Sequence, residues 1–265
     1  MTSAAGSLPS GRRRSRFPLL RLSFFLLSSA AAAWAVEVGP ASVAGWRVAL
    51  VGKRIGNGAT FDASALAPLL DLKGVNILQS PCTGDVQQGA LFIAARLAEL
   101  ALNVGEFAEL DGRLEKVETL ARETLVCSPH NSFAWFALYW SQGRRVGFTR
   151  RTLDYLDMSY RMGPREGWIS VRRNPQAMLV YRQLSPELKA RLVEEWRLLL
   201  EARLFQPAAL ALAQIPEGDR QTLFDQRARL DSNLWALFSD FLDLQGIDIL
   251  LPDAPERRRT PWRAG

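Results

Sequence analysis

The sequence predicts an all-α fold: an N-terminal transmembrane or signal-anchor helix, then an irregular helical-repeat domain built of α-hairpins. Three observations carry this. Apolar residues recur at spacings of three and four from Val86 into the Ser232–Leu244 stretch, the period of a helix with one buried face. No stretch shows the sustained apolar–polar alternation of a half-buried strand. Near the start of the chain, a basic stretch leads into an apolar run, the shape of a secretory signal or signal anchor.

The first element is residues 17–36, preceded by a basic tail over 1–16. Arg12, Arg13, Arg14, Arg16 and Arg21 come before Leu22-Ser-Phe-Phe-Leu-Leu-Ser-Ser-Ala-Ala-Ala-Ala-Trp-Ala-Val36, and no acidic residue precedes Glu37. That asymmetry puts the N-terminus in the cytoplasm and the bulk of the chain in the periplasm of a bacterial inner-membrane protein. Ala33-Trp34-Ala35 fits a small-x-small cleavage site. Extended back to Phe17, with Arg21 snorkelling, the segment reaches spanning length. The retained, single-span anchor is the reading adopted. The arginines lack the spacing of a twin-arginine export signal, so general secretion is implied.

The net charge of +6 is a property of the ends. Residues 37–252 carry 24 basic and 25 acidic side chains, so the body is neutral and a nucleic-acid partner is not expected. Residues 37–80 read as a linker with short helices. In it, Gly52-Lys-Arg-Ile-Gly-Asn-Gly58 lacks the spacing of a phosphate loop and reads as turn. Ala63–Leu70 reads as a short helix weakened by Pro68.

The helical-repeat domain spans 81–252. From Asp85, the positions Val86, Ala90, Ile93, Leu97, Leu100 and Ala101 share one stripe, which Gly105 ends. Phe107, Leu110, Leu114, Val117, Ala121 and Leu125 form the next, ending at Ser128-Pro129. Two helices of similar length around a glycine turn make an antiparallel hairpin. Its geometry sets Cys82 and Cys127 at matching heights on the open end, so a disulfide is expected there, with two separate buried thiols as the alternative. Helices follow at 133–142, 149–162, 166–180 (which Pro175 should kink or split), 186–202, 208–213 and 232–244. Ser185 reads as the cap of 186–202, with Pro186 in its first turn. Residues 253–265 read as a disordered basic tail.

In Cys127-Ser-Pro-His-Asn-Ser-Phe-Ala-Trp135, proline closes one unit and tryptophan opens the next. Tyr160-Arg-Met-Gly-Pro164 repeats the boundary about one repeat length later, with Arg151 and Met158 where small residues belong. This pattern is tetratricopeptide-like. The simpler role for Trp135 and Trp168 is interhelical packing. The stretch from Arg144 to Leu200, with Met-Gly-Pro-Arg-Glu-Gly-Trp-Ile and Leu-Ser-Pro-Glu-Leu-Lys, resembles single-span, tetratricopeptide-like periplasmic proteins encoded in bacterial exopolysaccharide biosynthesis and export clusters. The resemblance covers about a quarter of the chain. It implies an accessory role beside envelope or polysaccharide-assembly proteins, and no chemistry of its own.

Catalytic patterns are absent. His130, the sole histidine, lies in a turn, so no Ser–His–Asp or Cys–His relay suggests itself. One histidine and two cysteines make no standard structural zinc site, and neither metal nor cofactor is expected. Glu194 and Glu195 are adjacent and do not face each other, while Asp154 and Asp157 share a face but read as solvated charge. The chain is therefore read as a non-enzyme. One charge feature stands out: residues 85–123 hold eight acidic and four basic side chains, and residues 144–191 eleven basic and four acidic. Arg144, Arg145, Arg150, Arg151, Arg165, Arg172 and Arg173 are candidate binding residues, able to converge on one groove for an acidic glycan or peptidoglycan, a lipid headgroup or an acidic partner. The alternative is local pairing with Asp154, Asp157 and Glu166.

Overall fold

The computed structural model describes residues 17–71, 82–105 and 107–252. The expected tails 1–16 and 253–265, and residues 72–80 of the expected linker, lie outside the described residues. Among the described residues every regular element is helical and none is a strand.

Helix α1 (Phe17–Gly56) differs from the sequence reading. It does not stop near Val36 but runs on through the segment read as turn-rich linker. Its second half carries a buried stripe, Val48 and Ile55 two turns apart, and burial against the body holds it helical. Residues 21–36 are exposed on every side: Leu22, Phe24, Phe25, Leu26, Leu27, Trp34 and Val36 are 57–77% exposed. Among the described residues no helix is long and apolar enough to cross a membrane. The anchor reading of 17–36 takes in Phe17–Leu20, whose side chains lie outside the described residues.

Helix α2 (Ala63–Leu70) forms as the sequence suggests, with Leu66 fully buried. Helices α3 (Gly84–Val104) and α4 (Phe107–Cys127) make the expected hairpin. Gly105 ends α3 at φ 74°, and its N–H reaches the Ala101 and Leu102 carbonyls, a glycine C-terminal cap. Across the open end, the Cys82 and Cys127 sulfurs lie at disulfide distance, 2.12 Å, with Cα atoms 5.4 Å apart.

The α1–α3 contact is a glycine seam. A Cβ on Gly89 would lie 2.6 Å from the Val48 carbonyl oxygen and 2.9 Å from Ala49 Cα, and one on Gly52 would lie 2.7 Å from the Gly89 oxygen. The two backbones touch because neither residue has a side chain. Gly45 faces Val86, Gly52 faces Gly89 and Gly56 faces Phe92, so α1 and α3 run parallel.

Helix α5 (Ser132–Arg145) starts at Asn131, whose side chain accepts from the Ala134 N–H. Helix α6 (Arg150–Met162) starts the same way at Thr149, which accepts from Thr152. Helix α7 (Gly167–Met178) is not divided by Pro175, which falls in its last turn, three residues before the helix ends. Helix α8 (Pro186–Glu201) is capped by Ser185 and buries Leu188, Leu192, Trp196, Leu199 and Leu200. Helix α9 (Phe205–Gln214), a short α10 (Gln221–Phe224) and α11 (Ser232–Leu244) close the domain around Trp196, Trp235 and Phe238. Consecutive helices from α3 to α6 pack side by side, whereas α7 packs most heavily on α9. The hairpin order thus loosens after α6. Phe92, Phe133 and Trp168, from α3, α5 and α7, stack into one aromatic cluster beside the end of α1.

Candidate functional site

The most completely buried charges lie between α6, α7 and α8. Glu195, 3% exposed, ion-pairs with the fully buried Arg173. Its carboxylate also accepts from the Tyr160 hydroxyl at 2.6 Å, the Ser170 hydroxyl at 2.7 Å and Asn174 Nδ2 at 3.3 Å. Arg173 donates to the Ser159 carbonyl at 2.7 Å and the Gly163 carbonyl at 3.0 Å, and lies 3.9 Å over the Tyr160 ring. Four donors satisfy the buried carboxylate, while Arg173 Nε and Asn174 Oδ1 have no hydrogen-bond partner among the described residues. Burial first, then the Glu195 charge, pushes the Tyr160 phenol well above its ordinary range, so it stays a donor. Both side chains of the pair are buried, and the cluster joins three helices.

The seven candidate arginines are not gathered on one face. Arg173 is spent in that cluster. Arg172 donates to the Ile55 carbonyl at 2.9 Å and the Gly56 carbonyl at 3.3 Å, tying α7 to the C-terminal end of α1, where the Ile55 carbonyl also accepts from the Gly58 N–H. Arg145 bonds Asp111 at 2.7 Å and Glu118 at 3.0 Å on α4, which holds Asp111 below the usual carboxylate range. The acidic and basic segments thus partly neutralise each other across neighbouring helices. Arg151 donates to the Tyr155 hydroxyl at 3.0 Å, and Arg150 and Arg165 are exposed. Of the acids proposed as local partners, Asp157 pairs with Arg191 and Arg161, and Glu166 accepts from the Ser132 hydroxyl at 2.6 Å.

Arg144 and Arg172 do meet around a cavity, together with Arg96, a residue the sequence reading passed over. The cavity, about 260 Å³, lies between α3, α5, α7 and the 58–60 turn, and is lined by Phe92, Phe136, Trp140, Arg96, Glu99 and Arg172, among others. Arg144 sits at its edge, 4.8 Å over the Trp140 ring, and donates to Gln176 at 3.3 Å. Arg96 pairs with Glu99 at 3.2 Å, and its buried Nε has no hydrogen-bond partner among the described residues. Desolvation lowers the pKa of Arg144 and of Arg172, with the Glu99 carboxylate offsetting part of it and Arg96 adding to it at Arg172. A wider cleft of about 500 Å³ lies between α1, α3 and Trp168, with Trp46, Lys53, Asp85 and Gln88 on its walls.

Both hollows set polar side chains beside aromatic rings. His130 is exposed in the turn before α5. Among the described residues no group of three or more His, Cys, Asp or Glu is placed to hold a metal ion. No protein-family model, curated protein or solved structure matches the chain.

Proposed function

We propose that this chain is a non-catalytic, membrane-anchored scaffold of the bacterial envelope. Its N-terminus is cytoplasmic, and its helical domain works on the periplasmic side by binding other envelope proteins. The observation that supports the reading best is residues 21–36 of α1, an apolar stretch exposed all round that is continuous with a second half docked on α3. Exposed contiguous apolar surface of this kind calls for lipid or a partner, and the four arginines before it, with Arg21 near its start, argue for lipid. The polysaccharide assignment rests on the resemblance of Arg144–Leu200, and the partners it implies are polymerase, export or chain-length proteins.

Alkaline carbonate extraction and protease protection in intact and opened cells test the anchor. The expected result is a pelleted protein whose body is digested only once the outer membrane is breached. In vivo crosslinking from intact membranes, read by mass spectrometry, tests the partners. Release of the body as a soluble fragment by signal cleavage would refute the anchor, and recovery of no polysaccharide-assembly protein would refute that assignment.

A further inference from the structure

The cavity between α3, α5 and α7 has a surplus of cationic donors that the fold does not consume. Each guanidinium carries five N–H donors and no acceptor. Among the described residues, Arg96 spends one donor on Glu99, Arg144 one on Gln176, and Arg172 three on the carbonyls of Ile55, Gly56 and Trp168. Among the described residues, Glu99 is the only acidic one lining the cavity. Two partly buried cations, Arg96 and Arg172, therefore share one carboxylate, with the exposed Arg144 at the edge, and one buried donor, Arg96 Nε, is left over among the described residues. Charge-assisted, forked bonds from guanidinium to carboxylate are the strongest way to satisfy such a set.

The rest of the wall decides what carries the charge. Phe92, Phe133, Phe136 and Trp140 supply its aromatic side and Ile55, Val171 and Leu210 add aliphatic surface, a predominantly apolar lining with a few convergent polar groups, as in small-molecule sites. The volume of about 260 Å³ lies just below the roughly 300–1,000 Å³ of drug-sized sites, which suits one ring or a short branched chain.

We propose that this cavity binds a small organic carboxylate, its apolar body against Phe136 and Trp140 and its carboxylate between Arg96 and Arg172. The anchor and the scaffold role are independent of this site. Glu99 acts as a resident competitor, holding Arg96 when no ligand is bound.

The test is titration calorimetry on the full chain in detergent, with benzoate, benzyl alcohol and glucuronate as probes. Benzoate is expected to bind, and the uncharged benzyl alcohol to bind at least tenfold more weakly. Glucuronate, whose body is polar, should be weaker than benzoate. Arg96→Gln should lose about tenfold or more in benzoate affinity. Glu99→Gln, which frees Arg96, should gain severalfold, a change that a purely structural salt bridge would not produce. Far-ultraviolet circular dichroism checks that both variants keep their helices. No benzoate binding at millimolar concentration, equal binding of benzyl alcohol, tighter binding of glucuronate, or unaltered affinity in both variants would overturn the proposal.

Discussion

Replacing Gly89 by leucine puts a side chain where the α1 backbone already lies. Even a methyl group there would sit 2.6 Å from the Val48 oxygen and 2.9 Å from Ala49 Cα. Both obstacles are backbone, so no rotamer relieves them and the two helices must separate. Separation exposes Val48 and Ile55, both buried now, at about 1.5–3 kcal/mol for each. The docked half of α1 therefore loses about 3–6 kcal/mol of holding energy, enough to release it from α3. Amide hydrogen exchange over residues 48–56 reads this directly, and Gly89→Leu should speed it by at least a hundredfold while the α5 and α8 amides stay protected. Gly112 supplies the contrast: it lies in α4 with nothing within 4 Å of its would-be Cβ. Gly112→Ala should stabilise the protein by up to about 1 kcal/mol through helix propensity alone, whereas Gly89→Ala should destabilise it by about 1–3 kcal/mol from overpacking. Unchanged exchange at 48–56 in Gly89→Leu, or the same sign for the two alanine variants, would refute the glycine seam.

Two further outcomes are expected. Glu195→Ala strands Arg173 in the core and should cost about 3–5 kcal/mol in urea unfolding, while the double change Glu195→Leu with Arg173→Met should recover most of it; a single-variant cost under about 1 kcal/mol would show that the pair is not what joins α6, α7 and α8. Tyr139 and Tyr160 keep their phenol protons when folded because burial raises both, whereas the unfolded chain releases them near the ordinary value of 10.0. Above that pH the unfolded state binds fewer protons, so their contribution to stability is complete below it and is lost as pH rises. The urea midpoint should fall between about pH 9 and 11, and fall less steeply in a Tyr139→Phe, Tyr160→Phe double variant; an identical slope would reject it.

Local grammar was legible where a single residue type can do the job. Ser185-Pro186 opens α8 and Gly105 closes α3 because caps are short-range chemistry. Segment 232–244 formed with the expected bounds, and the stripe Leu188, Leu192, Trp196, Leu199 buries as its spacing demands. The linker was misread because glycine has two uses. Gly52 and Gly56 look like turn residues from their neighbours alone, yet here they let one helix backbone lie on another. Which use applies depends on α3, far along the chain.

The candidate site was harder for a related reason. Charge counts over segments treat arginines as equivalent, although Arg172 and Arg173 are neighbours with different tasks: one closes α1 and the other is buried with Glu195. A signal for the latter existed. Glu195 falls three residues after Leu192 and four before Leu199, on the apolar stripe of α8, and Arg173 stands four residues after Ile169 and four before Ala177 on α7. Charged residues at such positions need a buried partner. Arg96 was hidden by its acidic surroundings in sequence, which say nothing about the cavity it lines in space.

The parallel run of α1 along α3 also decides how the domain would bear a load. A pull on the exposed half of α1, directed along its axis, slides the helix past Gly89 instead of lifting it away. Sliding must break the Val48, Gly52 and Ile55 contacts and the Arg172 bonds to Ile55 and Gly56 together. Peeling would meet them one at a time. The joint is therefore strongest along the direction in which the first half of α1 leaves the body, and weakest sideways.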